Sequence, residues 1–268
     1  MNIELFLQRL GIKSLPDTPL QRLQTLHRAM TQTVPFENLA VLEGQKISLN
    51  PEDIFTKVVE QGRGGYCFEL NTLLAEVLEF LDYKVERLLG RVWANGAAAP
   101  PLTHMTLRVT VESQPYLCDV GFGGGTIREP LPWNTGSIVN QSPDSFRLDK
   151  TENAETMLSR LIGSSWKNLY SLLPCVVRFQ DYIPANHYTS THPDSYFTQG
   201  PAAALTTEDG RITLRGRIFR SVGANREEER ELANFEELIQ VLSRDFGLVN
   251  LDVKNLKSRL SGLFLQAG

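Results

Sequence analysis

Apolar residues recur at helical spacing through the first third of the chain. Leu20, Leu23, Leu26, His27 and Met30 share one face after Pro19, as in an amphipathic helix whose first turn accepts a proline. A stronger pattern puts Cys67, Leu70, Leu73, Leu74, Val77, Leu78 and Leu81 on one face directly after the glycine-rich Gly62–Tyr66. It predicts a helix that starts at or near Cys67, with the cysteine on its buried side. From about Val85 the period drops to two. Met105, Leu107, Val109 and Val111 point one way and His104, Thr106, Arg108 and Thr110 the other, the alternation of a strand. Glu112–Pro115 then turns the chain into the apolar run Tyr116–Gly123, predicting a hairpin that sets 111 opposite 116 and 108 opposite 119. Strand-like pieces at Cys175–Phe179 and Ile212–Phe219 extend this into a small antiparallel sheet or barrel. Leu232, Phe235, Leu238, Ile239, Leu242 and Phe246 return to the helical period, with Arg226–Glu231 as a solvated start.

Composition adds limits. A chain of 268 residues, 41% hydrophobic and 22% charged, folds around a sizeable core and has room for two or three packed subdomains. Its 27 basic against 31 acidic side chains leave a net charge of −4, which argues against nucleic acid as a partner, so any anion must be held locally. Three widely spaced cysteines, Cys67, Cys118 and Cys175, form neither a disulfide framework nor a zinc-ligand pattern. With no signal-peptide pattern at the N-terminus and no window approaching the roughly 20 apolar residues of a membrane span, the expectation is a cytoplasmic protein.

The candidate chemistry begins at Cys67. A thiolate is the reactive form of cysteine, and a helix N-terminus with a nearby imidazolium favours it. The other reading is a buried structural cysteine, which packs as a small hydrophobe. Four histidines are available as a base. His27 lies in an apolar helical face and reads as a core or boundary residue, while His187 and His192 fall in a polar, proline-bounded stretch that reads as an ordered loop. His104 opens the polar face of a strand just after turn-rich sequence, where functional groups concentrate. Asp119, inside an apolar run, must be paired or hydrogen-bonded. A histidine would satisfy it and gain a fixed tautomer, but so would backbone amides. In the predicted hairpin register His104 is four residues from Asp119 along the ladder, a gap that twist, a bulge or another register must close. The turn Gly121–Thr126 matches neither a Walker loop nor GxGxxG, although its amides suit a local anion.

Taken together, VPFENL (Val34–Leu39), RGGYCFELN (Arg63–Asn71), THMTLRV (Thr103–Val109), DVGFGG (Asp119–Gly124) and STHP (Ser190–Pro193) resemble the motifs of the prokaryotic arylamine N-acetyltransferases, in that family's order. The resemblance implies an α+β fold in three parts: a helical bundle (1–84), an antiparallel β-barrel (85–199) and an α/β lid (200–268). The Cys-His-Asp site would be like that of cysteine proteases and transglutaminases. Cys67 becomes the acyl-accepting nucleophile, His104 its base and Asp119 the orienting carboxylate. Phe36, Trp93 and Phe122 would border the acceptor pocket, Gly123, Gly124, Gly125 and Thr126 would contact CoA, and Arg63 and Glu37 would form a bracing ion pair.

The implied reaction is ping-pong transfer from acetyl-CoA, the acyl-donor substrate, through a Cys67 thioester to an arylamine, arylhydrazine or hydrazide. It needs no metal or tightly bound cofactor, no nucleic acid and no membrane, and suits a monomer or weak homo-oligomer in xenobiotic metabolism. The alternatives are a related amide synthase, a papain- or transglutaminase-like thiol hydrolase, and a binding module that uses Gly62–Asn71 only as a tight helix start.

Overall fold

The structure, a computed structural model, describes residues 1–93, 100–224 and 227–264. Its N-terminal part is helical: α1 (Ile3–Arg9), α2 (Pro19–Thr33), the short strand β1 (Phe36–Glu37), α3 (Leu39–Leu42), α4 (Pro51–Phe55) continued by a π-helical turn (Thr56–Glu60), and α5 (Cys67–Phe80). Sequence chemistry explains the starts. Asn2 caps α1 by accepting from the Leu5 amide, and Asn50 caps α4 by accepting from the Glu52 amide. Pro19 and Pro51 occupy first-turn positions of α2 and α4, where no amide is needed. Helix α5 starts where Glu69 Oε2 turns back to accept the Tyr66 amide at 3.1 Å. It is buried on every side from Cys67 to Ala75 and so lies within the core rather than on it.

Eight strands follow: β2 (Lys84–Val92), β3 (Leu102–Val111), β4 (Gln114–Cys118), β5 (Leu131–Pro132), β6 (Ile138–Gln141), β7 (Asp144–Lys150), β8 (Thr156–Ile162) and β9 (Ser165–Leu172). They form one antiparallel sheet in the order β5-β4-β3-β2-β9-β8-β7-β6. Leu117 and Leu131 from one end of that order share a core with Phe146 and Leu158 from the other, so the sheet curls into a nearly closed barrel. Its outer face at Met105, Leu107 and Val109 packs in the same core as α5.

The β3–β4 hairpin departs from the predicted register. Val111 pairs with Gln114 and Arg108 with Leu117, around a two-residue turn in which Glu112 (φ 48°) and Ser113 (φ 71°) are both left-handed. Such a turn matches the twist of the flanking strands, and it shifts β4 by two residues toward His104. The gap that the longer turn left therefore narrows without help from the sheet's twist.

Four further expectations change. Cys175–Phe179 is not a strand: 173–178 is irregular, and Phe179 opens α6 (Phe179–Thr191). His187 accordingly lies in a helix and His192 at its C-terminal cap, not in a loop. The helix survives Pro184 because Tyr182, Ala185, Asn186 and Thr189 make a continuous buried face, and Asn186 bonds both Tyr66 and the Ile47 carbonyl. After α7 (Tyr196–Gln199) a second antiparallel sheet, β10 (Ala202–Thr206), β11 (Arg211–Arg215), β12 (Ile218–Val222) and β13 (Glu227–Glu231), takes β1 as its other edge. Thus Ile212–Phe219 is two strands around a turn at Gly216, and Glu227–Glu231 is an edge strand rather than a helix start; Arg226 lies outside the described residues. Cross-strand pairing decides the latter, since Arg220 meets Glu227 and Glu229. Helices α8 (Phe235–Arg244) and α9 (Val253–Arg259) cover this sheet, and their core includes Leu39 and Leu42 of α3. Among the described residues no helix is long and apolar enough to cross a membrane.

Candidate active site

Cys67 is the first residue of α5, where the helix presents unpaired amides. It is buried, 3% exposed, and its Sγ donates to the Thr103 carbonyl at 3.7 Å. Two glycines make the approach possible. A Cβ on Gly64 would lie 2.1 Å from the Pro35 carbonyl oxygen, and one on Gly121 would lie 2.7 Å from Cys67 Cα; only glycine lets these segments pass. Beneath the loop, Arg63 pairs with Glu37 at 3.3 Å, as the resemblance implies, and also with Glu43 at 3.1 Å. Lys57 meets Glu69 at 2.7 Å. Removing one partner of such a buried pair leaves a charge in the core, at a cost of about 3–5 kcal/mol.

His104, near the start of β3, meets Asp119, the residue just past the end of β4. Nε2 of His104 is 2.7 Å from Asp119 Oδ2, and both residues are almost wholly buried. The face of β3 that reads as polar is thus an interior face here: Thr106 is buried too, its hydroxyl donating to the Cys118 carbonyl. A bulge at Gly90–Arg91, opposite His104, marks the site on β2. Burial by itself lowers the His104 pKa, but the charge and hydrogen bond of Asp119, joined by the Cys67 sulfur, outweigh it and hold it up to about 10. Burial likewise raises Asp119, and His104, Asn71 and the Gly121 amide together bring it below its ordinary value. With Nε2 committed to Asp119, Nδ1 is the ring nitrogen left to serve Cys67, whose sulfur contributes to the raised His104 pKa. The arrangement supports an imidazolium between a carboxylate and a sulfur, the state in which a cysteine attacks an acyl group.

Side chains from distant segments complete the surroundings. Phe122 lies with its ring 5.0 Å from that of His104, and Phe36 lies against Gly123 and 5.9 Å from Phe197 of α7. Trp93 is pinned by its indole N–H to Ser171 Oγ at 2.8 Å. In the turn beyond Phe122, Gly123, Gly125 and Thr126 are buried and Gly124 exposed. The Thr126 amide donates to the Gly123 carbonyl, and Arg160 and Arg211 both donate to the Gly124 carbonyl at 3.0 Å. His187 and His192 take no part. Asn71, Tyr170, Phe197 and His27 escape the sequence reading. Asn71 had a signal, standing one turn after Cys67 on the same helix: its Nδ2 donates to Asp119 Oδ1 at 3.0 Å. Tyr170, its ring 4.6 Å from His104, and Phe197 had none. Among the described residues no group of three or more His, Cys, Asp or Glu side chains is placed to hold a metal ion.

Comparison with known proteins identifies the family to which this fold belongs. The N-acetyltransferase family signature matches residues 19–256. An arylamine N-acetyltransferase of Mycolicibacterium smegmatis is 35% identical over 97% of this chain and 95% of its own. The solved Mycobacterium marinum arylamine N-acetyltransferase superposes with a TM-score of 0.93 at 32% identity, covering 98% of this chain and all of that one. The same enzyme solved in complex with CoA gives 0.92 at 33% identity over 98% and 99%. Likeness of this extent favours acyl transfer over the thiol-hydrolase, amide-synthase and binding-module readings, and the chain belongs to the arylamine N-acetyltransferase family.

Proposed function

We propose that this protein transfers an acetyl group from acetyl-CoA to an arylamine, arylhydrazine or hydrazide through a thioester on Cys67. The observation that carries the reading is the 2.7 Å His104–Asp119 pair beside a cysteine at a helix start, in a chain whose family members include an enzyme solved with CoA. The Cys67 thiolate attacks the acetyl carbonyl; a new carbon–sulfur bond forms as the bond to CoA breaks, and the His104 imidazolium gives its proton to the departing thiolate. Neutral His104 then takes a proton from the amine as its nitrogen attacks the acetyl-cysteine. The amide bond forms, the Cys67 bond breaks, and the thiolate–imidazolium pair is restored. Asp119 holds the ring's orientation and stabilises its charged form. The Cys67 amide, in the first turn of α5, is a donor for the tetrahedral oxyanion.

Phe36, Trp93 and Phe122 form the acceptor side, where apolar walls suit a planar amine. Gly123–Thr126 takes the CoA side; Arg160 and Arg211, at the exposed Gly124, share the single carboxylate Asp144 and so leave a local positive surplus that the −4 balance of the whole chain does not supply. Within this reading 1–84 carries the nucleophile, 85–199 the histidine and carboxylate, and 200–268 the lid of a cytoplasmic monomer or weak homo-oligomer. The test is CoA thiol release with an aminobenzoate or anisidine as acceptor. Release should require both acetyl-CoA and the amine, and mass spectrometry should find an acetyl adduct on Cys67 as a thioester, absent from Cys67→Ser. A folded protein that releases no CoA with any arylamine or hydrazine rejects the proposal.

A further inference from the structure

We infer that His27 is a positioning residue for this site, acting through the backbone of Asp119; the inference rests on the reading of Cys67, His104 and Asp119 as the reacting groups. Strand β4 ends at Cys118, and the next three amides find side-chain partners in place of a ladder. Asp119 N–H donates to His27 Nε2 at 3.0 Å, Val120 N–H to Asn71 Oδ1 at 3.0 Å, and Gly121 N–H to Asp119 Oδ1 at 3.0 Å. The other ring nitrogen of His27, Nδ1, is 3.2 Å from the Arg128 carbonyl. An amide only donates and a carbonyl only accepts, so Nε2 is bare and Nδ1 carries the proton. One neutral tautomer satisfies both partners. A second proton would turn the acceptor for Asp119 into a donor, and burial opposes it, lowering the His27 pKa to about 4.

His27 therefore fastens both ends of the segment 119–128 to α2. That segment carries the carboxylate against His104, the Gly121 that lies on Cys67, and Phe122. No other side chain among the described residues bonds the Asp119 amide. An apolar residue at 27 leaves the buried Asp119 amide and the part-buried Arg128 carbonyl without their side-chain partner, and the amide regains one only by moving the segment. Glutamine is the nearest neutral replacement: its oxygen reaches the Nε2 position to accept from the Asp119 amide, and its amide group, one bond farther from Cβ than Nδ1, keeps a donor on the Arg128 side, without a titrating group.

The experiment compares wild type, His27→Leu and His27→Gln in the folded protein by kcat, KM for the amine, and the rate of Cys67 alkylation by iodoacetamide. His27→Leu should lower kcat and the alkylation rate together by about ten- to a hundredfold, with KM for the amine little changed, because small displacements of reacting groups cost that much. His27→Gln should recover most of both. A purely structural role would reduce the folded fraction but leave the rate per folded Cys67 unchanged. Wild-type alkylation and turnover in His27→Leu overturn the inference, as does an equal loss in a folded His27→Gln. Should His27→Leu not fold, nitrogen-proton correlation NMR of the wild type decides: a proton on Nδ1 supports the inference and one on Nε2 overturns it. Failure of acetyl transfer in the wild type would count against the proposed reaction, while the alkylation arm would still report on His27.

Discussion

Asp119 gathers more of the site than any neighbour. One carboxylate oxygen faces His104, the other takes Asn71 and the Gly121 amide, and its own amide is held by His27. Replacing it with asparagine keeps the shape but removes the charge that outweighs burial at His104. Asp119→Asn should therefore lower kcat by roughly 10³- to 10⁴-fold and slow Cys67 alkylation, read by stopped-flow assay and thiol labelling. The other cysteines supply controls. Cys118 is fully buried and its pKa is pushed well up by burial and by Asp119, so it should stay unlabelled while the protein is folded. Cys175 is exposed and should label at a rate indifferent to Asp119→Asn. Cys67, His104 and Asp119 were legible as candidates for three different reasons: a cysteine at a predicted helix start, a histidine opening a strand's polar face after turn-rich sequence, and a carboxylate in an apolar run that must find a partner. The partner of His27 was not legible: its place in an apolar face signals burial, but nothing local says that it meets a backbone amide 92 positions on.

The elements follow their hydrophobic periods where one face is simply buried. Helices α2 and α5, strand β3 and helix α8 all stand where the periodicity puts them. Departures occur where a short turn or cross-strand charge outweighs the period. The Glu112–Ser113 turn sets the register that brings β4 toward His104, although neither residue favours positive φ. Glu112→Asn with Ser113→Gly should raise the unfolding free energy by about 1–2 kcal/mol, measured by urea denaturation, with kcat unchanged because both positions are exposed. Loss of stability would mean that the turn is held by something other than its own backbone. In β13 Glu227 and Glu229 face Arg220 of β12, and Arg230 faces Glu237 of α8, pairings invisible until strand partners are known.

At the scale of the whole molecule, the two buried histidines pull the pH dependence of stability in opposite directions. His104 is raised from 6.5 to about 10 in the fold, so the stability it contributes is full below 6.5 and is lost as pH rises toward 10. His27 is lowered from 6.5 to about 4; the unfolded chain binds the extra proton between those values, and stability is lost as pH falls through them. Asp119, depressed below its ordinary value, adds to the loss on the acid side. Thermal unfolding should show a maximum near neutrality. His27→Gln should flatten the acid limb and His104→Gln the alkaline limb; limbs unmoved by either substitution would assign the pH dependence to other groups.

By itself the sequence determined the helix that begins at Cys67, the alternating strand that carries His104, the buried setting of Asp119 and the order in which they occur, since each is a matter of local period, helix-start chemistry or burial. Tertiary structure alone decided that His104 and Asp119 touch, that Asn71 and His27 hold the segment after β4, that Phe36 and Phe197 share one wall, and that β1 closes the edge of a sheet made from the far end of the chain. The reason is that a period reports which side of an element is buried, whereas hydrogen bonds between distant segments depend on register and on how the elements pack, which one-dimensional spacing does not specify.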